Sequence, residues 1–183
     1  MLYYGIMYEE ILDIVDNNGS IMHQASKVES HKHGWLHKTV IGYIRDANSW
    51  TLVRQSDDKQ DAGQFVAPVG GHVKSNETEI EALLRESEEE IGTRNIEYKY
   101  IGVATYHRQI IGRDENHMCF VYEINTLDHI KLGVESVSVE TFSNEDLKRQ
   151  IIENPDDFGD GYYFILERFY PEYLPKKRRS SRS

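Results

Sequence analysis

Residues 70–93 read GGHVKSNETEIEALLRESEEEIGT, and the fold turns on them. The stretch opens on a glycine pair, crosses a polar segment and enters a run with apolar residues three and four apart, which predicts a helix over residues 77–91. Gly92 follows the last apolar position, where a left-handed residue ends a helix. Seven glutamates occupy the stretch, with Glu88, Glu89 and Glu90 consecutive. Like charges one turn apart weaken a helix. The crowding is therefore either a solvated face or a place where something positive binds.

On a helical wheel, Ile80, Leu83, Leu84, Ser87 and Ile91 form one stripe, the expected core face. Glu86, Glu89 and Glu90 fall on the neighbouring stripe and form a compact carboxylate cluster. Glu77, Glu81 and Glu88 point elsewhere, to solvent or to ion pairs. Oxygen ligands gathered this closely suit hard cations such as Mg²⁺ or Mn²⁺, and Mg²⁺ commonly takes a substrate phosphate oxygen as well. The chemistry to expect is metal-assisted attack of water on a phosphoanhydride. The glycine pair permits close backbone approach, so that a backbone carbonyl can join the metal ligands.

The flanking sequence alternates like strands. EILDIVDNNGSIMHQASK (residues 10–27) predicts a hairpin turning at Asn18-Gly19, with Leu12 and Ile14 on one face. Residues 36–46 and 49–56 predict a second strand pair around Asp46-Ala47-Asn48. QFVAPVGG (residues 64–71) reads as a short strand entering a glycine turn. Residues 96–109, 117–125 and 134–142 read as strands, with residues 110–116, IIGRDEN, as a loop between the first two. Residues 143–154 predict a helix capped by Ser143, and residues 159–170 a final helix. Strands on both sides of a central helix mean a mixed α/β (α+β) domain.

One domain is expected over residues 1–174, with residues 1–30 as an added N-terminal hairpin and residues 175–183, PKKRRSSRS, as a disordered basic tail. A net charge of −10 argues against a general nucleic-acid binder. No apolar run is long enough for a membrane span, and the N-terminus lacks the basic start of a secretory signal. Cys119 is the only cysteine, which excludes an internal disulfide and fits a reducing cytoplasm. Its alternation with Val121 predicts a core thiol.

The central stretch resembles the Nudix box, G-x5-E-x7-R-E-U-x-E-E-x-G-U, where U is aliphatic. Gly71, Glu77, Arg85, Glu86, Glu89, Glu90 and Gly92 fill its seven fixed positions. Such a match arises by chance on the order of once in 10⁸ starting points at average residue usage. Ser87 and Thr93 depart at the aliphatic sites, which bears on packing. The resemblance implies an α/β/α sandwich with a mixed sheet, and hydrolysis of a nucleoside diphosphate derivative or a similar pyrophosphate. It implies Glu86, Glu89 and Glu90 as catalytic metal ligands, with the Gly71 carbonyl as another. Arg85 and Glu77 become the groups that orient them. Asp114 and Glu115 lie where such enzymes carry a loop carboxylate, so Glu115 is expected as a general base or extra ligand, beside the reading of a solvated turn. A small phosphorylated partner is implied, and a homodimer is left open.

Residues 9–122 also resemble the Nudix branch similar to type I isopentenyl-diphosphate isomerase, through residues 10–27, HGWLHKTVIGYI (residues 33–44) and FVAPVGGHV (residues 65–73). That enzyme uses a cysteine and a glutamate as acid-base partners, with a metal held largely by histidines. His37 and His72 match histidine places, but Gly70 stands at the cysteine's place and His117 at the glutamate's. His31 and His33 are off register for a third histidine; with His37 they read as a metal cluster or, more simply, a polar loop. His72 reads as a substrate or metal contact or as a surface residue after a turn. A third class, a nucleotide-binding Nudix domain without hydrolysis, would usually have lost the box carboxylates, which are intact here.

Overall fold

The computed structural model describes residues 9–176. In chain order the elements are β1 (Ile11–Val15), β2 (Ile21–Ser26), α1 (Lys27–His33), β3 (His37–Arg45), β4 (Ser49–Gln55), β5 (Phe65–Val66), β6 (Val69–His72), α2 (Glu79–Ile91), β7 (Glu97–Ile110), β8 (Arg113–Asn125), β9 (Ser136–Ser143), α3 (Asn144–Glu153) and α4 (Asp160–Phe169).

Strand β3 is the hub. It pairs antiparallel with β1, β4 and β6 and parallel with β8, which makes the sheet mixed. The β1–β2 hairpin extends the sheet beyond β3. A strand buried on both faces should be apolar throughout, and β3 carries Val40 and Tyr43 almost wholly buried on alternate faces. Even positions on β3 and β8, with Val40, Tyr122 and Ile124, pack under Leu83, Ala82 and Ile91 of α2. Odd positions, with Tyr43, Cys119 and Val121, pack with Leu147 of α3 and Tyr162, Ile165 and Leu166 of α4. Helices on both faces of a mixed sheet give the expected α/β/α sandwich. The core thiol is borne out as well: Cys119 is 2% exposed.

Four expectations need correction. Gly70 and Gly71 do not form a turn. They lie within β6, opposite Ile41 and Val40 of β3, because a glycine pair is as compatible with a close-packed strand as with a bend. Residues 110–116 are not a loop either: β7 and β8 pair from Glu97↔Asn125 to Ile110↔Arg113, with one bulge at Ile101, and reverse at Ile111-Gly112 alone. Both turn residues have positive φ, 48° and 72°, as a tight hairpin turn needs; Ile carries no sequence signal for it. Asp114 and Glu115 are therefore strand residues. Residues 27–33 form a helix rather than a polar loop, capped by the Ser26 hydroxyl and ended by Gly34. Finally, α2 begins at Glu79, two residues after the expected start. The expected basic tail falls, from residue 177 onward, outside the described residues. Among the described residues no helix is long and apolar enough to cross a membrane.

Candidate functional site

The late start of α2 follows from Thr78. Its hydroxyl accepts from the Glu81 N–H, and the Glu81 carboxylate accepts in return from the Thr78 N–H, forming a capping box. Glu81 is exposed, as expected, and also serves as a cap. Glu77 stays outside the helix and is free to grip Arg85, whose Nε and Nη2 donate to its two oxygens at 2.8 and 2.9 Å. The same guanidinium donates to the His72 carbonyl at 2.9 Å and to Glu86 at 2.5 Å. Arg85 therefore joins β6 to α2 and aims Glu86. Burial works against the Glu77 charge, but the Arg85 and Lys74 N–H bonds and the Arg85 charge outweigh it and hold this carboxyl below its usual range. Glu88 points away and pairs with Arg94 at 3.3 Å.

The three clustered carboxylates have different surroundings. Glu86 is 8% exposed and lies against Gly71 so closely that a Cβ there would meet its Oε1 at 2.0 Å. Glu90 accepts from the Gly70 N–H at 2.6 Å. Glu89 is exposed, with Arg85 at 3.6 Å. Burial pushes the Glu90 carboxyl well above the normal range, against the Gly70 bond, and the Glu86, Glu135 and Glu89 charges push it further. Burial also raises Glu86, offset in part by Arg85. Anions held at such a disadvantage fit a hard divalent cation.

These groups line a cleft of about 790 Å³, whose far wall comes from β7 and β8. Glu115 is 3% exposed, contradicting the solvated turn. Its oxygens face Arg108 at 2.8 Å and Arg113 at 3.8 Å, and Arg108 is held in turn by Asp61 at 2.8 Å. Asp61, Arg108 and Arg113 were not singled out in the sequence; alternation with Tyr106 on β7 is the only signal that turns Arg108 inward.

His31, His37, His72 and His117 come together, each offering one ring nitrogen within 4.8 Å of the others. His37 and His117 are direct partners on β3 and β8, and His72 lies opposite Thr39 on β6, so the sheet register places three rings on one face. His31 comes from α1. The surface reading of His72 is thereby corrected. His33 stays outside the cluster, bonded to Glu29 at 3.1 Å and stacked on Trp35. Burial depresses all four imidazoles. His31 falls to about 3, with the Arg113 charge adding to burial, and His72 and His117 fall well below the usual histidine value.

The NUDIX domain family matches residues 35–160. The chain belongs to the Nudix family. It is 34% identical over 94 residues to an uncharacterised Nudix hydrolase of Streptomyces coelicolor, covering 48% of this chain and 50% of that protein. A second uncharacterised Nudix hydrolase, from Yersinia pestis, is 29% identical over 91 residues, covering 49% of this chain and 50% of that one. The chain thus spans about half the length of the curated relatives it matches. Among solved structures, DR0079 from Deinococcus radiodurans aligns with a TM-score of 0.70 at 20% identity, over 88% of this chain and 99% of that one. A MutT NUDIX hydrolase from Burkholderia pseudomallei aligns at 0.58 and 19% identity, over 73% and 97%. At these identities the likeness is one of Nudix fold.

Proposed function

We propose that this Nudix protein is a divalent-cation-dependent pyrophosphohydrolase acting on a small phosphorylated substrate, a nucleoside diphosphate derivative or a similar diphosphate. The observation that carries this reading is the approach of Glu86 to Gly71 and of Glu90 to Gly70 on β6, with Glu89 lining the same cleft, which also presents arginines. Glu86, Glu89, Glu90 and the Gly71 carbonyl would hold Mg²⁺ or Mn²⁺. Bound there, the cation polarises phosphoryl oxygens and lowers the pKa of a water molecule.

The remaining work falls to the chain's own groups. Arg85, locked by Glu77 and the His72 carbonyl, keeps the Glu86 carboxylate in place. Glu89, exposed and with its ion pair at 3.6 Å, is the carboxylate open to take a proton from water. Glu115 sits between two guanidiniums, and its part in this reading is to position Arg108 as the cleft wall. Arg113, 38% exposed, is the cation available to a substrate phosphate. The −10 net charge fits a small substrate rather than a nucleic acid, and a free buried thiol fits a reducing cytoplasm.

The test is a screen of nucleoside di- and triphosphates, nucleotide sugars, dinucleoside polyphosphates and coenzymes with Mg²⁺ or Mn²⁺, reading released phosphate. Turnover of one class supports the reading; tight binding of one ligand without turnover of any favours a nucleotide sensor. The histidine cluster favours a second reading, an isomerase-like enzyme. That reaction needs a thiol acid-base partner, and Cys119 is buried, its pKa raised to about 11 by desolvation. Isopentenyl diphosphate should therefore not be converted to its dimethylallyl isomer; conversion lost in His117→Ala would overturn the hydrolase reading.

A further inference from the structure

The β7–β8 hairpin reverses on two residues, Ile111 and Gly112, with φ of 48° and 72°. Two positive φ values in a two-residue turn select Asn-Gly, because asparagine and glycine tolerate the left-handed region. Isoleucine is a poor choice there, since its branched Cβ crowds the backbone. Among the described residues the one other non-glycine with positive φ is Asn76, a residue suited to it. Little inside the fold offsets the strain at Ile111, whose side chain is 79% exposed and gains little from burial. A lone exposed isoleucine calls for no explanation, but one held in a conformation that its own chemistry opposes does.

The place of Ile111 supplies one. It lines the cleft that holds Glu86, Glu89 and Glu90, at the tip of the β7–β8 wall and two residues before Arg113. Val134, 96% exposed, lines the same cleft from the α2 side, where the neighbouring Gly133 N–H donates to the Glu90 carbonyl at 2.9 Å. Two branched aliphatic side chains are thus left in water beside carboxylates and guanidiniums. Apolar surface in that position gains free energy when a ligand covers it. A diphosphate is charged throughout and offers no apolar surface for the purpose. The group that can cover Ile111 and Val134 is the part of the substrate beyond the diphosphate.

We propose that Ile111, together with Val134, determines specificity by contacting the part of the substrate beyond its diphosphate, and that this part carries an apolar face, as a nucleobase or a hydrocarbon chain does and a bare sugar does not. The inference rests on the reading of the carboxylate cleft as a diphosphate site. Ile111 gives up hairpin stability for ligand contact, which is why the strain and the exposure fall on the same residue. An aliphatic side chain transfers no proton and holds no cation. The two residues therefore act on affinity and KM rather than on the chemical step.

Calorimetric titration with methylenediphosphonate, whose P–C–P bridge is not hydrolysed, tests this in the presence of Mg²⁺. The bare diphosphonate is compared with its esters of ribose, n-pentanol, adenosine, guanosine, cytidine and uridine. The pentyl ester or at least one nucleoside ester should bind roughly 10-fold or more tightly than the bare and ribose compounds, and which of them does so separates hydrocarbon chain from base. Ile111→Asn should lose about 10-fold on that ester, and Val134→Ser should weaken it too, with the bare diphosphonate bound as in wild type by both. Ligand-free Ile111→Asn should also melt roughly 2–4 °C above wild type, because asparagine relieves the turn; Val134→Ser should not. Binding of the bare diphosphonate with no preference for an apolar ester, or a preference that Ile111→Asn leaves intact, overturns the inference and leaves the diphosphate reading standing. Failure of every compound to bind overturns both. An unchanged affinity in Val134→Ser overturns the part assigned to Val134, and an Ile111→Asn melting temperature no higher than wild type's overturns the strain assigned to Ile111.

Discussion

Gly71→Ala displaces one proposed metal ligand without deleting it. Gly71 sits in β6 with φ outside the left-handed region, so alanine is acceptable to the backbone. In a strand it even gains about 0.5–1 kcal/mol over glycine. The new Cβ, however, would lie 2.0 Å from Glu86 Oε1 and 2.1 Å from its Cδ, where ordinary contact begins near 3.4 Å. The atoms in the way are the end of a flexible side chain, so the carboxylate gives and the strand stays. It must retreat by the difference, about 1.4 Å, and a misplacement of about 1 Å can cost roughly 10²-fold in rate. Retreat also loosens the Arg85 bond to Glu86, worth about 1.5–3 kcal/mol for a charged pair, against the backbone gain. The expected result is a fall in kcat of at least about 10²-fold with unfolding free energy lowered by no more than about 2 kcal/mol. Gly70→Ala is the control: its Cβ meets nothing closer than the Val40 carbonyl at 3.8 Å, and activity should stay near wild type. Phosphate release on the best substrate gives kcat, and urea unfolding gives stability. Full activity in folded Gly71→Ala would refute the placement of Glu86 in the reacting centre.

Glu89→Gln and Glu90→Gln should each lower kcat by at least about 10²-fold, while Glu88→Gln, paired outward with Arg94, should change it little; equal loss in all three would return the helix to an ordinary acidic face. Mg²⁺ should raise the Tm of wild type by mass action and raise that of Glu89→Gln and Glu90→Gln less; identical shifts in calorimetry would count against these ligands. Without metal, Glu90→Gln should be more stable than wild type near neutral pH. Because folding raises this carboxyl above 4.5, the advantage should disappear below that pH, where folded and unfolded chains are both protonated; a pH-independent difference would contradict the shift. His31 has the opposite sign. Folding lowers it from 6.5 to about 3, so the unfolded chain protonates first and the native state loses stability as pH falls through that window. Metal-free His31→Gln lacks this loss, and its urea-unfolding curve against pH should be flatter there than wild type's; parallel curves would refute the burial of a neutral ring.

The sequence was most legible where one local pattern decides structure. Residues 77–93 carried period, cap and charge together, and the helix, its Gly92 stop and its core stripe of Leu83, Ser87 and Ile91 follow from them. The strands of the sandwich were legible for the same reason. What could not be read depends on register between distant segments. The sequence drew His31 and His37 together but did not bring His117 to them; the pairings His37↔His117 and Thr39↔His72, with α1 carrying His31, gather the four rings. The Ile111-Gly112 turn hid Glu115 in an apparent loop, because an isoleucine with positive φ contradicts every local preference. Arg108 had only its alternation with Tyr106 as a local signal; Asp61, far from it in sequence, and Glu115, opposite it in the β7–β8 hairpin, give it its place.

Strand β6 is where the carboxylate site and the histidine cluster depend on one another. Successive residues of a strand point to opposite faces. Gly71, opposite Val40, turns toward α2 and meets Glu86, while His72, opposite Thr39, turns toward His31. The hard oxygen donors and the neutral nitrogen donors are thus separated by a single residue and by the sheet itself, within one cleft. A one-residue slip of β6 against β3 would send a histidine into the carboxylates and a glycine into the imidazoles. Arg85 opposes that slip directly, since it holds the His72 carbonyl and Glu77 with the same guanidinium that aims Glu86. Lysine at this position could not keep all three contacts, having one nitrogen where arginine has three in a rigid plane. Arg85→Lys should therefore lower both the Mg²⁺ stabilisation and the Tm of the metal-free fold. A variant that lost only the first would show that the register of β6 is held elsewhere.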